Sequence, residues 1–588
     1  MSLSKHDKLA IPLVLPNNCT WDEKTGKYSK KLNVERRTLT VVPEALEQLK
    51  EIKGPVCVVS IAGPCRSGKS YILSKVFDQG QVFPLGHLLD PETMGIWLWV
   101  VPEKFKDSTG REFTVVLMDS EGIDAVSSED SDDHRIFTLS VLLSSIMIYN
   151  SAVVPKRSDL EGLDFIVKLS QRIQLYTNQP TTDEQQFSEA FPYFIWLLRD
   201  VQLSLPEGCK TMNDYFIKSV LNLKAEGNTM KAKKTAESIL KYFPGFYACS
   251  LPPPACDDEI LKGLDDESKV NPKFLKKVDE FKDILHSKLS SKKSINKGEF
   301  VTGEALAALT KRFVEALNTP GAVPNVQNAW DTFVQTKCRE VLADAVQVYE
   351  QEMMSLVEKK IPCEADLLRS AHDNAMEKCL EMFRNETFSF SIKTVDKYLK
   401  ELEDRTESIL SSWLERNSRE TETFCTQLIK ELKRTILDPV LARLHSQEGS
   451  KMQRSDIVDA YHEVEQKYSS NARGAKDVKT SVFMNFHPEL KKEKKQSIEL
   501  LQQLKYYEES LAKAEKAAKA AEENTQKIKK EKARIYEKEK RNAEIEVEFL
   551  RHIQRMREIE FAARVFVNVV EFLYETMQNP RGPPYWHR

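Results

Sequence analysis

Eight consecutive residues carry the clearest chemistry in this chain: Gly63-Pro64-Cys65-Arg66-Ser67-Gly68-Lys69-Ser70. They fit the pattern G-x-x-x-x-G-K-[ST], the signature of a loop that wraps phosphates. Glycines let the backbone N–H groups close on phosphate oxygens. A helix starting at the loop's end adds its favourable dipole. Lys69 then reaches the β- and γ-phosphates, and Ser70 offers a hydroxyl to Mg²⁺. Arg66 lies inside the loop. Either its guanidinium swings over the phosphates and stabilises the charge of phosphoryl transfer, or it is a surface arginine paired with a carboxylate.

A second group follows about fifty residues later, Asp119-Ser120-Glu121-Gly122, fitting D-x-x-G. Asp119 would hold Mg²⁺ through a water, the Gly122 N–H would meet the γ-phosphate, and Glu121 counts among the catalytic candidates with Arg66, Lys69, Ser70 and Thr93. The next residue is Ile123, so no glutamine stands there to orient water. Thr93, in Pro91-Glu92-Thr93-Met94-Gly95, has a hydroxyl suited to Mg²⁺ and the γ-phosphate. It could equally be an ordinary loop threonine. There is no N-K-x-D base motif in place. Arg199-Asp200 follows an apolar run instead, and Asp200 could accept from guanine N1–H and N2–H₂, a pattern adenine lacks. Taken alone, an Arg-Asp pair there is as readily a solvated loop.

These residues need elements to position them. Val56–Ala62, Phe113–Met118 and Tyr193–Leu198 read as buried strands, and Tyr71–Phe77 as a helix. Strands separated by helical patterns predict a mostly parallel sheet covered by helices, an α/β phosphate-loop domain over 1–315. Ile136–Pro155 carries no charge over about the length of a membrane span. Its serines, threonine and asparagine favour a buried helix followed by a central strand at Ile146–Tyr149. Lys288–Lys297 reads as a charged, serine-rich loop. From Asn325 onward helix follows helix, with breaks expected at Pro362, Pro439, Gly449, Gly474 and Pro488, predicting an elongated all-α bundle over 316–488. Between Glu489 and Asn579 there is no Gly or Pro, so 489–588 reads as a long terminal helix and tail, roughly 130 Å if uninterrupted. Leu500, Leu504, Tyr507, Leu511, Ala514, Ala518, Ala521, Ile528 and Ile535 form a thin heptad seam. That seam packs on the chain's own bundle or self-associates as a coiled coil. Near the end, Phe561, Val565, Phe566, Val569, Phe572 and Leu573 lie near one helical face, which either packs against the rest of the chain or is a hidden face released on nucleotide binding, for partners or a membrane surface.

Composition excludes several classes. The chain has 588 residues, 86 basic and 89 acidic, for a net charge of -3. That balance argues against nucleic acid as a partner. It also argues against wholesale disorder. Glycine, at 20 residues, is well under the usual ~7% and favours helix over turn-rich β structure. None of the ten cysteines forms a C-x-x-C pair, which removes zinc-ribbon and thioredoxin readings. With no signal-like opening, the expected location is cytoplasmic with reduced thiols.

GPCRSGKS, PETMGIWLWVVP, MDSEG, LLSSIMIYNS, WLLRD and RFVEALNTPGAVPNVQNAW together resemble the guanylate-binding proteins, large GTPases of the dynamin superfamily, over essentially the whole chain. The resemblance implies GTP as substrate, Mg²⁺ as cofactor and a nucleotide-dependent homodimer or higher oligomer. It further implies hydrolysis to GDP, sometimes on to GMP, in cell-autonomous innate defence, with recruitment to membrane or pathogen surfaces. By matching positions, Arg66 is the arginine finger in cis, and Thr93 the switch threonine. Arg199 and Asp200 read guanine. Leu85-Gly86-His87 is a phosphate-cap loop, and a guanine cap lies around Tyr247–Pro254. The chain departs from the pattern at Pro91, where a serine hydroxyl often stands, at Leu197, and at its end, Tyr585-Trp586-His587-Arg588, which is no prenylation box. Pro91 and Ile123 leave open a nucleotide-switched scaffold with slow or no hydrolysis. An atlastin-like membrane-remodelling GTPase and an ATP-using enzyme are further alternatives.

Overall fold

The computed structural model describes residues 9–31, 34–80, 82–84, 93–122, 130–153, 160, 163–175, 190–223, 229–255, 269–528 and 535–577. They divide into two compact units, Met1–Gln347 with Cys379–Glu403, and Val348–Lys378 with Asp404–Arg588.

The first unit is organised by a strand that is buried throughout. All seven residues of Val56–Ala62 are buried, as a strand covered on both faces requires. Counted along the chain, the strands are β1 (Ile11–Pro16), β2 (Cys19–Asp22), β3 (Lys27–Lys30), β4 (Leu39–Val41), β5 (Val56–Ala62), β6 (Ile96–Lys106), β7 (Glu112–Ser120), β8 (Ile146–Ala152), β9 (Tyr193–Arg199) and β10 (Phe246–Ser250). Eight form one sheet in the order β10-β9-β8-β5-β7-β6-β1-β4, while β2 and β3 pair separately. From β10 to β7 the neighbours are parallel. The β7–β6, β6–β1 and β1–β4 pairs are antiparallel. The mostly parallel sheet is therefore as expected, with an antiparallel flank that sequence reading passed over. The β6–β7 hairpin turns through Asp107–Arg111, where Asp107 Oδ1 accepts from the Thr109 and Arg111 N–H groups and Gly110 takes a left-handed φ of 83°.

Helices flank the sheet: α1 (Pro43–Lys50), α2 (Lys69–Lys75), α3 (Asp130–Leu143), α4 (Asp164–Arg172), α5 (Met212–Tyr215), α6 (Met230–Tyr242), α7 (Pro272–Lys288) and α8 (Gly303–Asn318). The uncharged stretch resolves into the end of α3 followed by β8, buried in protein. Thr138 and Ser140 donate their hydroxyls to the carbonyls of His134 and Ile136 at 2.7 and 2.9 Å, which satisfies them without water. Among the described residues no helix is long and apolar enough to cross a membrane.

Further along come α9 (Val326–Val357), α10 (Ala365–Glu386), α11 (Ile392–Leu432), α12 (Asp438–Leu444), α13 (Arg454–Asn471), α14 (Lys476–Ile528) and α15 (Ile535–Met577). Within the second unit, Ile429, Leu444, Ile457, Val464, Leu490 and Leu501 share one core. Breaks occur near Pro362, Gly449 and Gly474 as expected. At Pro439 a π-turn, Lys433–Leu437, precedes α12, because proline offers no N–H to the carbonyl of Thr435.

Two expectations fail here. Pro488 does not end a helix but lies inside α14. Met484, whose carbonyl loses its donor, is 64% exposed, so water can replace the bond. The terminal helix is also not continuous. Tyr507 of α14 and His552 of α15 bring their rings to 4.4 Å. In one straight helix those residues would stand roughly 67 Å apart at 1.5 Å per residue. The chain reverses, and part of the heptad seam is covered in cis: Leu500 and Leu504 pack on the second unit's core, and Tyr507 packs on α15. Of the apolar face near the end, Phe561, Val565 and Phe566 are exposed, while the side chains of Val569, Phe572 and Leu573 lie outside those described.

Candidate functional site

The parallel strands β5, β7 and β8 end at the same edge of the sheet. Ile61 is in register with Asp119, and Ala62 with Tyr149. The phosphate-loop residues follow β5 directly, at the point where strand order reverses to either side, which is where open α/β sheets bind ligands. Gly63 has φ 145°, and an added Cβ would sit 2.0 Å from the Asn150 carbonyl oxygen. Arg66 and Gly68 adopt left-handed φ of 63° and 74°. Holding a non-glycine residue there costs energy and marks a loop whose shape is imposed by its surroundings. The Arg66 side chain is exposed at the loop. α2 begins at Lys69, two residues earlier than its apolar pattern suggests, so the loop runs straight into a helix N-terminus.

Within the loop, the carbonyl of Pro64 accepts from Ser67 Oγ at 2.8 Å and from Lys69 Nζ at 3.0 Å. Lys69 is buried, and that burial lowers the pKa of its ammonium, opposed chiefly by Asp119. Asp119 is fully buried and its carboxyl is pushed up by desolvation, opposed by Lys69 and by the Ser70 and Thr93 hydroxyls. Both hydroxyls donate to the same oxygen: Ser70 Oγ at 2.6 Å and Thr93 Oγ1 at 3.2 Å from Asp119 Oδ2. The other oxygen, Oδ1, is buried with no hydrogen-bond partner among the described residues. A carboxylate with a spare buried oxygen between two hydroxyls suits a hard, oxygen-seeking cation. The donor set therefore fits Mg²⁺.

The D-x-x-G glycine closes against the loop: a Cβ on Gly122 would lie 2.4 Å from Cys65 Cα. Ser120 donates its hydroxyl to the Ile61 carbonyl at 2.8 Å. Glu121, expected among the catalytic residues, is held by neighbours in the fold. Its two carboxylate oxygens accept from the Arg36 guanidinium at 2.8 and 2.9 Å, and Oε2 also accepts from the Gly95 N–H at 3.0 Å. Arg36 and Glu121 are both buried. Both of its oxygens are thus engaged by the fold. Glu121 is a positioning residue that ties the start of β6, two residues past Thr93, to the end of β7.

Arg199 is buried, and its guanidinium donates to the Ser67 carbonyl at 3.3 Å and approaches that of Gly68 at 3.5 Å. It also lies 5.6 Å over the Phe274 ring. Arg199 thus braces the phosphate loop from β9. Asp200 is exposed with φ 60°, a turn that swings it away from the strand end. Of the region expected to cap the base, Tyr247–Ser250 lies in β10, paired in register with β9. Leu251–Pro254 follows the strand outside regular structure. Leu85, Gly86, His87, Pro91 and Ile123 lie outside the described residues.

Three contributors escaped sequence reading. Asn150, at the end of β8, donates Nδ2 to the Ser67 carbonyl and hydroxyl at 2.7 and 2.8 Å. Its signal was a polar pair, Asn150-Ser151, near the end of an otherwise apolar strand. Arg36 and Phe274 reach the site only through the tertiary fold.

A family model described as guanylate-binding protein, N-terminal domain, matches residues 36–294, and one described as guanylate-binding protein, C-terminal domain, matches residues 297–561. The chain is 31% identical over 407 residues to guanylate-binding protein 2 of Homo sapiens, covering 67% of this chain and 66% of that protein. It is 30% identical over 404 residues to guanylate-binding protein 1 of Mus musculus, covering 67% of each. To guanylate-binding protein 6 of Homo sapiens it is 29% identical over 422 residues, 70% of this chain but 65% of the relative's length.

Proposed function

The chain belongs to the guanylate-binding protein family, and from that premise we propose that it binds GTP with Mg²⁺ and hydrolyses it. The observation that carries the reading is the convergence of Ser70 and Thr93 on one oxygen of buried Asp119, beside a phosphate loop braced by Asn150 and Arg199. Mg²⁺ would be held by Ser70 and Thr93, with Asp119 acting through water. When bound, it supplies charge neutralisation on the β- and γ-phosphates.

The protein's own residues do the rest. Lys69 exchanges the Pro64 carbonyl for phosphate oxygens, which relieves a buried ammonium whose present partner is a neutral carbonyl. Thr93, anchored two residues from Gly95 by the Glu121–Arg36 pair, reports the γ-phosphate to β6. Arg66, on the exposed rim of the loop, supplies positive charge to the γ-oxygens as phosphoryl transfer spreads charge over them. Asp200 reads the guanine N1–H and N2–H₂. GDP is the product, with GMP as a further step. Dimerisation through the GTPase faces positions Arg66, and self-assembly serves cell-autonomous innate defence at membrane or pathogen surfaces. These last assignments rest on family resemblance alone.

Nucleotide-dependent sizing tests the reading. Light scattering on the protein with GTP, GDP, ATP and a GDP–fluoroaluminate mimic should give a larger species only with GTP or the mimic. Equal responses to ATP and GTP would remove the base-reading role of Asp200, and no response to any nucleotide would contradict assembly.

A further inference from the structure

The loop after α7 is not used by the nucleotide site. It walls a cavity of about 580 Å³ in the first unit. Ser145, immediately before β8, and Tyr193, the first residue of β9, also line it. The cavity therefore lies at the amino ends of the parallel strands, whereas the phosphate loop and Asp119 lie at their carboxyl ends.

Four lysines line it: Lys288, Lys292, Lys293 and Lys297. No ion pair is formed by any of the four among the described residues. Among the described residues Glu299 is the one acid on the wall, and it is taken. Its Oε2 accepts from Trp330 Nε1 at 2.5 Å and Asn296 Nδ2 at 3.1 Å, and its Oε1 from Thr394 Oγ1 at 2.5 Å and the Ser391 N–H at 3.2 Å. Lys292 is buried, and among the described residues its ammonium donates to a neutral acceptor alone, the Ser144 carbonyl, at 2.7 Å. Burial lowers it to about 8, as for a cation that lacks an anion. Ser291, 5% exposed, has a buried hydroxyl with no partner among the described residues, which calls for explanation in a packed interior.

The loop is also pre-shaped. Lys292 N–H bonds the Val56 carbonyl at 2.7 Å, the Val301 N–H bonds the Lys292 carbonyl at 2.9 Å, and the Ser294 N–H bonds that of Glu299 at 3.0 Å. Phe191, Tyr193 and Phe300 add an apolar side. The volume lies in the range of small-ligand sites.

We infer that this cavity binds a small molecule bearing two or more phosphate groups, the ammonium and hydroxyl donors meeting phosphate oxygens and the aromatic side meeting the carbon skeleton. Four unneutralised cations select for several negative charges over a single carboxylate. Phosphate oxygens also match the mixed donors on the wall. The molecule could be free or the headgroup of a lipid, and both sources share this chemistry.

The test uses the full chain with its nucleotide site saturated with GDP and Mg²⁺, so that the phosphate loop cannot capture the probe. Calorimetry is run with inositol 1,4,5-trisphosphate, and in parallel flotation with phosphatidylcholine vesicles containing phosphatidylinositol 4,5-bisphosphate. Saturable one-to-one binding is expected in at least one arm. Binding to the soluble probe alone identifies a free metabolite, and preference for vesicles identifies a headgroup. The exposed pair Lys293→Gln/Lys297→Gln should weaken binding at least tenfold, and Ser291→Ala severalfold, with GDP affinity unchanged in both. Retained GDP affinity shows that the variants are folded and keeps this result separate from the nucleotide reading. No binding in either arm at millimolar probe, or binding untouched by these substitutions, overturns the proposal.

Discussion

Glu121 and Asp119 sit two residues apart with opposite fates. Asp119 keeps a spare oxygen at the site, while Glu121 is locked to Arg36. Removing one partner of a buried ion pair leaves an uncompensated charge, at a cost of about 3–5 kcal/mol. Glu121→Gln should lower the urea midpoint accordingly and also weaken the dependence of GTP affinity on Thr93. The double variant Arg36→Met/Glu121→Leu should recover most of the stability but not the coupling. A single-variant loss under about 1 kcal/mol would show the pair to be dispensable. Lys292 gives a pH prediction. Its folded pKa is about 8 against 10.5 ordinarily. Between those values the unfolded chain holds the proton that the folded chain has released, so stability rises with pH across that window and is lost as pH falls through about 8. The step is about 2 kcal/mol between pH 7.5 and 9.5. Comparing urea midpoints of wild type and Lys292→Met at the two pH values should show that gain in the wild type alone. Parallel behaviour would contradict a buried, depressed lysine.

At the scale of elements, what was legible followed from short-range pattern. The strand Val56–Ala62 announces itself by seven apolar or small residues, and the loop after it by its glycines and Lys69-Ser70. Asp119, Thr93 and Ser70 were placed in one site because the motif spacing implies adjacent strand ends, and the parallel β5–β7 register brings them together. Arg199 was read as facing the base, yet it braces the loop, because which way a side chain leaves a strand end depends on a backbone turn that composition does not encode. Asp200 makes that turn with its left-handed φ. Arg36 was missed because its partner is 85 residues away. The terminal hairpin was missed for a different reason. A run without Gly or Pro is permissive for helix along its whole length, and nothing local marks where tertiary packing makes it reverse. Spin labels on unnatural amino acids at the exposed positions Glu508 and Arg551 test the hairpin. Pulsed dipolar spectroscopy should give a separation under about 25 Å, against roughly 65 Å for one straight helix. The longer distance would restore the continuous helix.

At the scale of the whole molecule, near-neutral charge conceals local imbalance: 86 basic and 89 acidic residues coexist with a cavity wall of four lysines that form no ion pair among the described residues. The high charged fraction belongs largely to solvated helix faces, such as the alternating lysines and glutamates of α14. Each of the two units has its own apolar core. The central claim is chemical: that the site at the carboxyl edge of the sheet cleaves GTP. Single-turnover hydrolysis tests it most directly, with protein in excess over GTP, with Mg²⁺, and with product resolved by chromatography. The account predicts conversion to GDP, faster at higher protein concentration, slowed at least a hundredfold by Arg66→Ala and abolished by Lys69→Ala. GTP retained intact over hours, or turnover unchanged in Lys69→Ala, would contradict it and leave a nucleotide-switched scaffold as the better description.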